Sequence, residues 1–291
     1  MLTAYAQLAG SMILTGANVA VAKTLAGALP IPLILGLRCL IACAVLLPLA
    51  LWRDGMVRPR RGVLGNLLLQ AVAGTLLYNA ALLAGLRFTT ALEGGLVLAT
   101  MPAVVALGSA WWLRERVTPR GWAAVALAGI GMGAIVLARG GEGEGGSPLG
   151  NALIFLGVCG EAAYVLLAKR AAGALPLLTA SLWMQGFSAA LLLPAWLPEA
   201  GAAARLADPT LLALLVFHGL TASLLSLLLW YGGLRRAPAR IAGVFTVFLP
   251  ATAALAAILF LGEAPTATHA LGFVLLLASM LLATWPERRV R

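Results

Sequence analysis

The stretch GLRFTTALEGGLVLATMPAVVALGSAWWLRERVT at residues 85–118 returns 148 residues later as GLRRAPARIAGVFTVFLPATAALAAILFLGEAPT at 233–266. Gly85-Leu86-Arg87 falls on Gly233-Leu234-Arg235, Pro102-Ala103 on Pro250-Ala251, Leu113 on Leu261, Glu115 on Glu263 and Thr118 on Thr266. Continued to Met132 and Met280, the register holds without a gap over 48 positions, 14 of them identical. A chain this rich in Ala and Leu would give about 5 by chance. An earlier block repeats at an offset of 146: Ala22-Lys23 on Ala168-Lys169, Ala26 to Pro30 on Ala172 to Pro176, and Leu46-Leu47-Pro48 on Leu192-Leu193-Pro194. Two copies of one unit, roughly 1–139 and 149–291, are joined by a glycine-rich acidic linker at 140–148.

Each copy reads as five membrane spans. The 291 residues are 62% hydrophobic and 10% charged, too little polar surface to clothe a soluble domain of this size. Apolar runs of about 20 residues, enough to cross the hydrocarbon as a helix, predict spans at 3–23, 32–52, 62–86, 91–113, 119–138, 149–168, 176–197, 210–234, 239–261 and 268–285. No basic region precedes the first run and no clear cleavage site ends it, so it reads as a retained helix. Five is odd, so the copies must cross the membrane in opposite directions. The predicted fold is an all-α integral membrane protein of ten transmembrane helices, arranged as two inverted five-helix repeats. That architecture places a site near the midplane where either side can reach it, which is how secondary carriers are built.

The charges set the orientation. With the N-terminus inside, inner loops hold 15 of the 20 Lys and Arg residues, outer loops hold Lys23, Arg87, Arg139 and Arg205, and Arg38 lies inside span 2. This positive-inside bias predicts both termini in the cytoplasm. It also accounts for the net charge of +10 without a nucleic-acid partner. The expected partners are the lipid bilayer and a small-molecule substrate, with the chain a monomer or a homodimer. Gly129 and Gly133 in span 5 form a GxxxG that serves close packing within the chain or a dimer face.

Other chemistries lack their residues. No P-loop glycine run ends in Gly-Lys-Ser/Thr, and no HExxH or Ser/Lys pair appears, so neither ATP hydrolysis nor an intramembrane enzyme is expected and no cofactor is implied. Cys39, Cys43 and Cys159 lie in apolar spans without further ligands nearby, which predicts packing rather than metal binding.

The doubled set of five spans, the Ala-Lys closing the first span of each copy, and the fourth-span Pro followed by a Glu loop resemble the drug/metabolite transporter superfamily in its ten-helix EamA-type branch. Within it, the chain looks most like the bacterial aromatic amino-acid exporters. The resemblance covers essentially the whole chain. It implies an exporter of small metabolites, with a central cavity between spans 1–4 and 6–9, and spans 5 and 10 at the periphery.

Polar side chains deep in spans mark the candidate path, because in lipid each needs a partner or a cavity. Span 1 carries Gln7, Ser11 and Asn18 on one face; span 3 carries Gln70, Thr75, Tyr78 and Asn79; span 6 carries Glu161 and Tyr164; span 7 carries Ser181, Gln185 and Ser188 near Trp183 and Phe187; span 8 carries His218, Thr221, Ser223 and Ser226, then Trp230 and Tyr231 as interface anchors. The substrate-binding candidates are Asn18, Tyr78, Asn79, Glu161, Tyr164, Trp183, Gln185, Phe187 and His218. Rings would hold an apolar side chain, and the amides and carboxylate would hold a zwitterion. Glu161 reads as the only acidic residue clearly inside a span, suited to a proton or an ammonium group. Arg38 is expected to snorkel outward, with a substrate carboxylate as its other partner. Pro102 and Pro250 each remove a mid-span hydrogen bond, to Leu98 and Thr246, and with Gly95 and Gly243 form the candidate gate hinges. Other readings of the same fold are a multidrug or other metabolite carrier and a facilitative, channel-like pathway.

Overall fold

The computed structural model describes residues 2–55, 57–112, 118–137, 147–171, 174–234, 236, 245 and 248–284. Gly243, Thr246, most of the 140–148 linker and the Glu115 loop lie outside them. All regular structure among the described residues is helical. Spans 1 and 2 are Leu2–Ala28 and Ile31–Asp54. Span 3 runs Arg61–Leu86, and span 4 is two pieces, Ala91–Leu98 and Met101–Trp112. Spans 5, 6 and 7 are Pro119–Leu137, Pro148–Arg170 and Leu177–Trp196. Span 8 runs from Pro209 through Leu220 and Thr221–Leu225 to Ser226–Leu234. Spans 9 and 10 are described over Phe248–Leu261 and Ala267–Thr284. A 3-10 segment, Ala200–Ala207, which the apolar pattern does not reveal, lies between spans 7 and 8.

The helix ends have local causes. Pro30 precedes span 2 with extended backbone, and Gly55 ends it at φ 71°, a left-handed conformation that glycine takes freely. Thr90 caps span 4 by accepting from the Glu93 N–H, the arrangement its Thr-x-x-Glu spacing encodes. Span 1 extends five residues past the predicted end, so Lys23 sits within the helix rather than in a loop.

Neighbouring helices follow the duplication. Span 1 packs along span 9 and the second part of span 8, span 6 along spans 4 and 3, span 2 on span 7, and span 5 on span 10. Exchanging the copies maps this set of contacts onto itself. One end of the bundle gathers the last turn of span 1, residues 87–90 after span 3 and the first turn of span 6: Arg87 Nε donates to the Ala26 carbonyl at 2.8 Å, and Thr89 Oγ1 to Asn151 Oδ1 at 2.8 Å. Span 1 ends where span 6 begins, so equivalent helices run in opposite directions. At the far end, Asp54 Oδ2 accepts from the backbone N–H and hydroxyl of Thr179 at 2.9 and 2.8 Å, tying span 2 to the start of span 7.

Close approach depends on glycine at a few contacts. A Cβ on Gly85 would meet Ile154 Cγ1 at 2.5 Å and the Gly150 carbonyl at 2.6 Å, and one on Gly160 would meet the Ala73 carbonyl at 2.8 Å. A Cβ on Gly16 would run into Thr252 and the Leu249 carbonyl of span 9. Backbone cannot yield as a side-chain tip does. Gly16→Ala should therefore destabilise the solubilised protein by about 2 kcal/mol, read as a lowered thermal midpoint with unchanged helical circular dichroism; an unaltered midpoint would rule out this packing. Spans 5 and 10 meet through Gly131, which lies against Leu275 and Leu276, whereas Gly129 has open space. Gly129 and Gly131 are about 200° apart on a helix, so Gly129 is turned away from the face that packs on span 10.

Candidate functional site

A chain of hydrogen bonds joins spans 3, 2, 8 and 1 near the middle of the bundle. Arg38 Nη1 donates to Asn79 Oδ1 at 2.5 Å and lies 3.5 Å from His218 Nε2. His218 Nδ1 is 2.8 Å from Asn18 Oδ1, and Asn18 Nδ2 donates to Thr221 Oγ1 and the Leu14 carbonyl, each at 2.8 Å. Thr221 in turn donates to the Phe217 carbonyl at 2.6 Å. The directions are fixed along the chain. Both Asn18 donors are used, so its oxygen faces His218; His218 Nδ1 must carry the proton, and Nε2 is left as an acceptor for Arg38. Counted along the helices at 1.5 Å per residue, Arg38 and Asn79 lie about 10 Å, and Asn18 and His218 about 15 Å, below the Lys23 end.

Arg38 is the main correction to the sequence reading. It is 4% exposed and does not snorkel. Asn79 and His218 give its guanidinium acceptors inside the bundle, where a charge is tolerated only with such partners.

The helices that carry these groups are distorted at equivalent places. Ala71–Leu77 in span 3 and Thr221–Leu225 in span 8 are π-helical, and the 148-residue offset places the first on 219–225. A π-turn strains the regular ladder and is found mostly at functional sites. Here it is stapled by side chains. Asn79 Nδ2 donates to the Gly74 and Thr75 carbonyls at 3.1 and 2.9 Å, which leaves its oxygen for Arg38. Apolar patterning carries no sign of these turns; the polar residues Thr75, Asn79, Thr221 and Ser223 beside them are the available signal.

Other candidates sit around this chain. Glu161 and Tyr78 are within electrostatic range of Arg38, but no hydrogen bond or ion pair joins them to it among the described residues. Glu161 lies about 20 Å below the Lys23 end. Tyr164, one turn further along span 6, lays its ring against Gly74, where a Cβ would be 2.7 Å from Tyr164 Cγ. Gln185 is buried and its Oε1 has no hydrogen bond. Trp183 is 37% exposed and its ring meets Phe187 at 5.6 Å between centroids; both lie roughly opposite Gln185 around their helix. The structure thus brings Asn18, Asn79 and His218 into one network with Arg38, sets Tyr78, Glu161 and Tyr164 beside it, and keeps the Trp183–Phe187 pair on another face.

At Pro102 the helix is broken rather than bent. Residues 99–100 form a turn, and Pro102 is the second residue of the resumed helix. Short bonds bridge the gap: Thr100 N–H and Oγ1 both donate to the Val97 carbonyl, at 3.0 and 2.7 Å, and Ala103 N–H to the Thr100 carbonyl at 3.0 Å. Pro250 is buried in the first described turn of span 9. Gly95 is where spans 4 and 9 touch, since a Cβ there would be 2.6 Å from Ala253 Cβ.

A second polar cluster, not singled out from the sequence, closes the Lys23 end. Gly262, at φ 66°, ends span 9 and turns Glu263 toward span 4. Its carboxylate accepts from the N–H groups of Ala91 and Leu92, each at 2.8 Å, the N-terminus where an anion is most favoured. Lys23 Nζ donates to the Thr89 carbonyl at 2.5 Å and lies 3.9 Å from Glu263. Glu93, 2% exposed, is a second acid buried in a span. It accepts from Asn151 Nδ2 at 2.8 Å and Thr89 Oγ1 at 3.1 Å and faces His269 Nε2 at 3.6 Å. Spans 1, 4, 6, 9 and 10 all meet there. The sequence held the pieces, in Thr90-x-x-Glu93, Gly262-Glu263 and the repeated Lys, but not their juxtaposition.

Comparison with known proteins fits this architecture. The chain is 31% identical over 292 residues to the uncharacterized transporter YetK of Bacillus subtilis (strain 168), a match covering 98% of this chain and 88% of that one. A solved structure described only as the crystal structure of a protein superposes with a TM-score of 0.60 at 21% identity, over 95% of this chain and 94% of that one, which shows a shared fold. The EamA-like transporter model matches residues 2–137 and again 148–285. By these two matches, and by the paired helices that each contains, the chain belongs to the EamA-like transporter family.

Proposed function

We propose that the protein exports small organic metabolites, amino acids with aromatic or other apolar side chains foremost, across the bacterial inner membrane by alternating access. The observation that carries this reading is the Arg38–His218–Asn18 chain at mid-depth, flanked by an acid and by aromatic rings and set between π-distorted helices in equivalent positions of the two copies. A scaffold has no use for polar groups held at such a depth. The family assignment supports transport of small metabolites; the zwitterion is suggested by a buried Arg38 with Glu161 within electrostatic range of it. In this reading both termini are cytoplasmic, and the Lys23 end faces outward. The polar cluster there closes the bundle over the central groups, which favours a carrier over an open pore.

Proteoliposomes loaded with labelled phenylalanine, tryptophan, methionine and threonine test the claim. Saturable efflux of at least one, above protein-free vesicles, is the expected result; no specific efflux of any removes the amino-acid reading. Linear, non-saturating flux would instead favour the channel-like pathway. If Glu161 carries a coupling proton, Glu161→Gln will abolish the dependence of flux on a pH gradient, and unchanged dependence rules that role out.

A further inference from the structure

Arg38 holds an unused edge. A guanidinium has five N–H donors, and among the described residues only Nη1 makes contacts, both to neutral groups: Asn79 Oδ1 and His218 Nε2. Nε is fully covered and has no acceptor, and Nη2 makes no hydrogen bond among the described residues. Nε–H and the neighbouring Nη2–H form the parallel fork that grips a carboxylate with two hydrogen bonds. A charged donor buried with its bonds unmade is unfavourable, and among the described residues no acid lies at contact distance from it. The nearest-acting acid, Glu161, is felt through space without forming an ion pair.

The surroundings leave that fork unpaired. Asn79 is held by the carbonyls of the π-turn, and His218 is held as a neutral acceptor by Asn18. Both therefore orient the guanidinium from its Nη1 side without adding a competing negative charge. From the geometry we infer that Arg38 is the anion-binding group of the path, its Nε–Nη2 edge taking the carboxylate of the substrate, with Glu161 of span 6, within electrostatic range, receiving an ammonium group where the substrate has one. This rests on the carrier reading and narrows it: organic cations without a carboxylate are poor substrates, because an uncompensated positive charge at mid-depth repels them.

Three compounds that share a ring and a chain separate the groups: 3-phenylpropionate, L-phenylalanine and 2-phenylethylamine. Binding to the full-length solubilised protein, measured by calorimetry with acetate and benzoate added to the panel, should show both phenyl carboxylates bound at least tenfold more tightly than the amine. Arg38→Gln should weaken both carboxylates about thirtyfold and erase the preference over the amine. Arg38→Lys keeps the charge but lacks the fork, and should weaken them about tenfold. Glu161→Gln should narrow the gap between phenylalanine and phenylpropionate. The assignment is overturned if no carboxylate of the panel binds, if the amine binds as tightly, or if either Arg38 variant binds carboxylates as the unsubstituted protein does. Should Arg38→Gln fail to fold, Arg38→Lys decides. Flux in proteoliposomes distinguishes the two levels. Amine efflux without carboxylate efflux leaves the carrier and removes the Arg38 role; Arg38-dependent binding without any flux does the reverse.

Discussion

Glu263→Ala is expected to raise hydrogen exchange at Ala91 and Leu92 by about a hundredfold, with Glu263→Gln between the two. The carboxylate accepts from both N–H groups at 2.8 Å, and no other side chain makes these bonds among the described residues. A hydrogen bond to a charged group contributes about 1.5–3 kcal/mol, and two of them on one partly exposed carboxylate amount to about 3 kcal/mol. At about 1.4 kcal/mol per decade that is two orders of magnitude in local opening. Glutamine retains one acceptor oxygen but not the charge that suits a helix N-terminus. The measurement is exchange mass spectrometry on peptides covering residues 87–98, with peptides from span 2 as the internal control. Equal exchange in the alanine variant would mean that Glu263 does not hold the start of span 4.

The consequence reaches the centre through geometry. Span 4 starts at this carboxylate, breaks at residues 99–100 and touches span 9 through Gly95 and Ala253. A helix in two pieces can move its first piece without carrying the second, since the break is bridged only by short local bonds. Glu93, Asn151 and Thr89 bind the same piece to span 6. The bonds that tie the Lys23 end together thus reach the piece of span 4 that precedes the break.

The span boundaries were legible because hydrocarbon thickness and apolar length leave little choice. The predicted limits 62–86 stand within one residue of the helix found, Arg61–Leu86, and the predicted starts at 119 and 268 within one residue of Pro119 and Ala267. The inverted arrangement was legible from an odd number of spans per copy. Side-chain direction was not. Arg38 is six residues inside its predicted span, a depth from which an arginine on a lone helix would reach the surface; that it turns inward depends on Asn79 and His218, which come from helices distant in sequence. Glu93 was not singled out, because the partners that bury it, Asn151 and His269, come from spans distant in sequence. The π-turns left no mark on the apolar pattern; the polar side chains beside them, such as Asn79 and Thr221, mark the place but not the geometry. Asn18, Asn79 and His218 were found from polarity alone, since an amide or imidazole in a span must have a partner. Trp183 and Phe187 were chosen on ring chemistry, which does not tell one face of a helix from another.

Asn18→Leu should produce the largest loss of any single substitution in the central network, and Asn18→Asp should recover part of it. Asn18 is 5% exposed and contacts Leu14, Thr221 and His218 at once. Leucine keeps the branched skeleton of asparagine with bulkier methyl ends, and it strands the His218 Nδ1–H without an acceptor in a buried site. Each unsatisfied buried group costs about 1–3 kcal/mol; with the bonds to Thr221 and the span 1 carbonyl also lost, the total is about 4 kcal/mol. His218 can escape part of this by changing tautomer, which moves its proton to Nε2. That proton would then face the Arg38 guanidinium, donor against donor. The alternatives are lower stability or a displaced Arg38, and both are measurable. Aspartate restores an acceptor for His218 Nδ1 while giving up the two donated bonds. Efflux of the best substrate should fall at least a hundredfold in Asn18→Leu and about tenfold in Asn18→Asp, with the greater part of the loss in apparent affinity if the guanidinium has moved. Equal efflux for leucine and aspartate, in variants that remain folded and monodisperse, would show that the orientation of His218 does not govern Arg38, and that the bridge from span 1 to span 8 is packing alone.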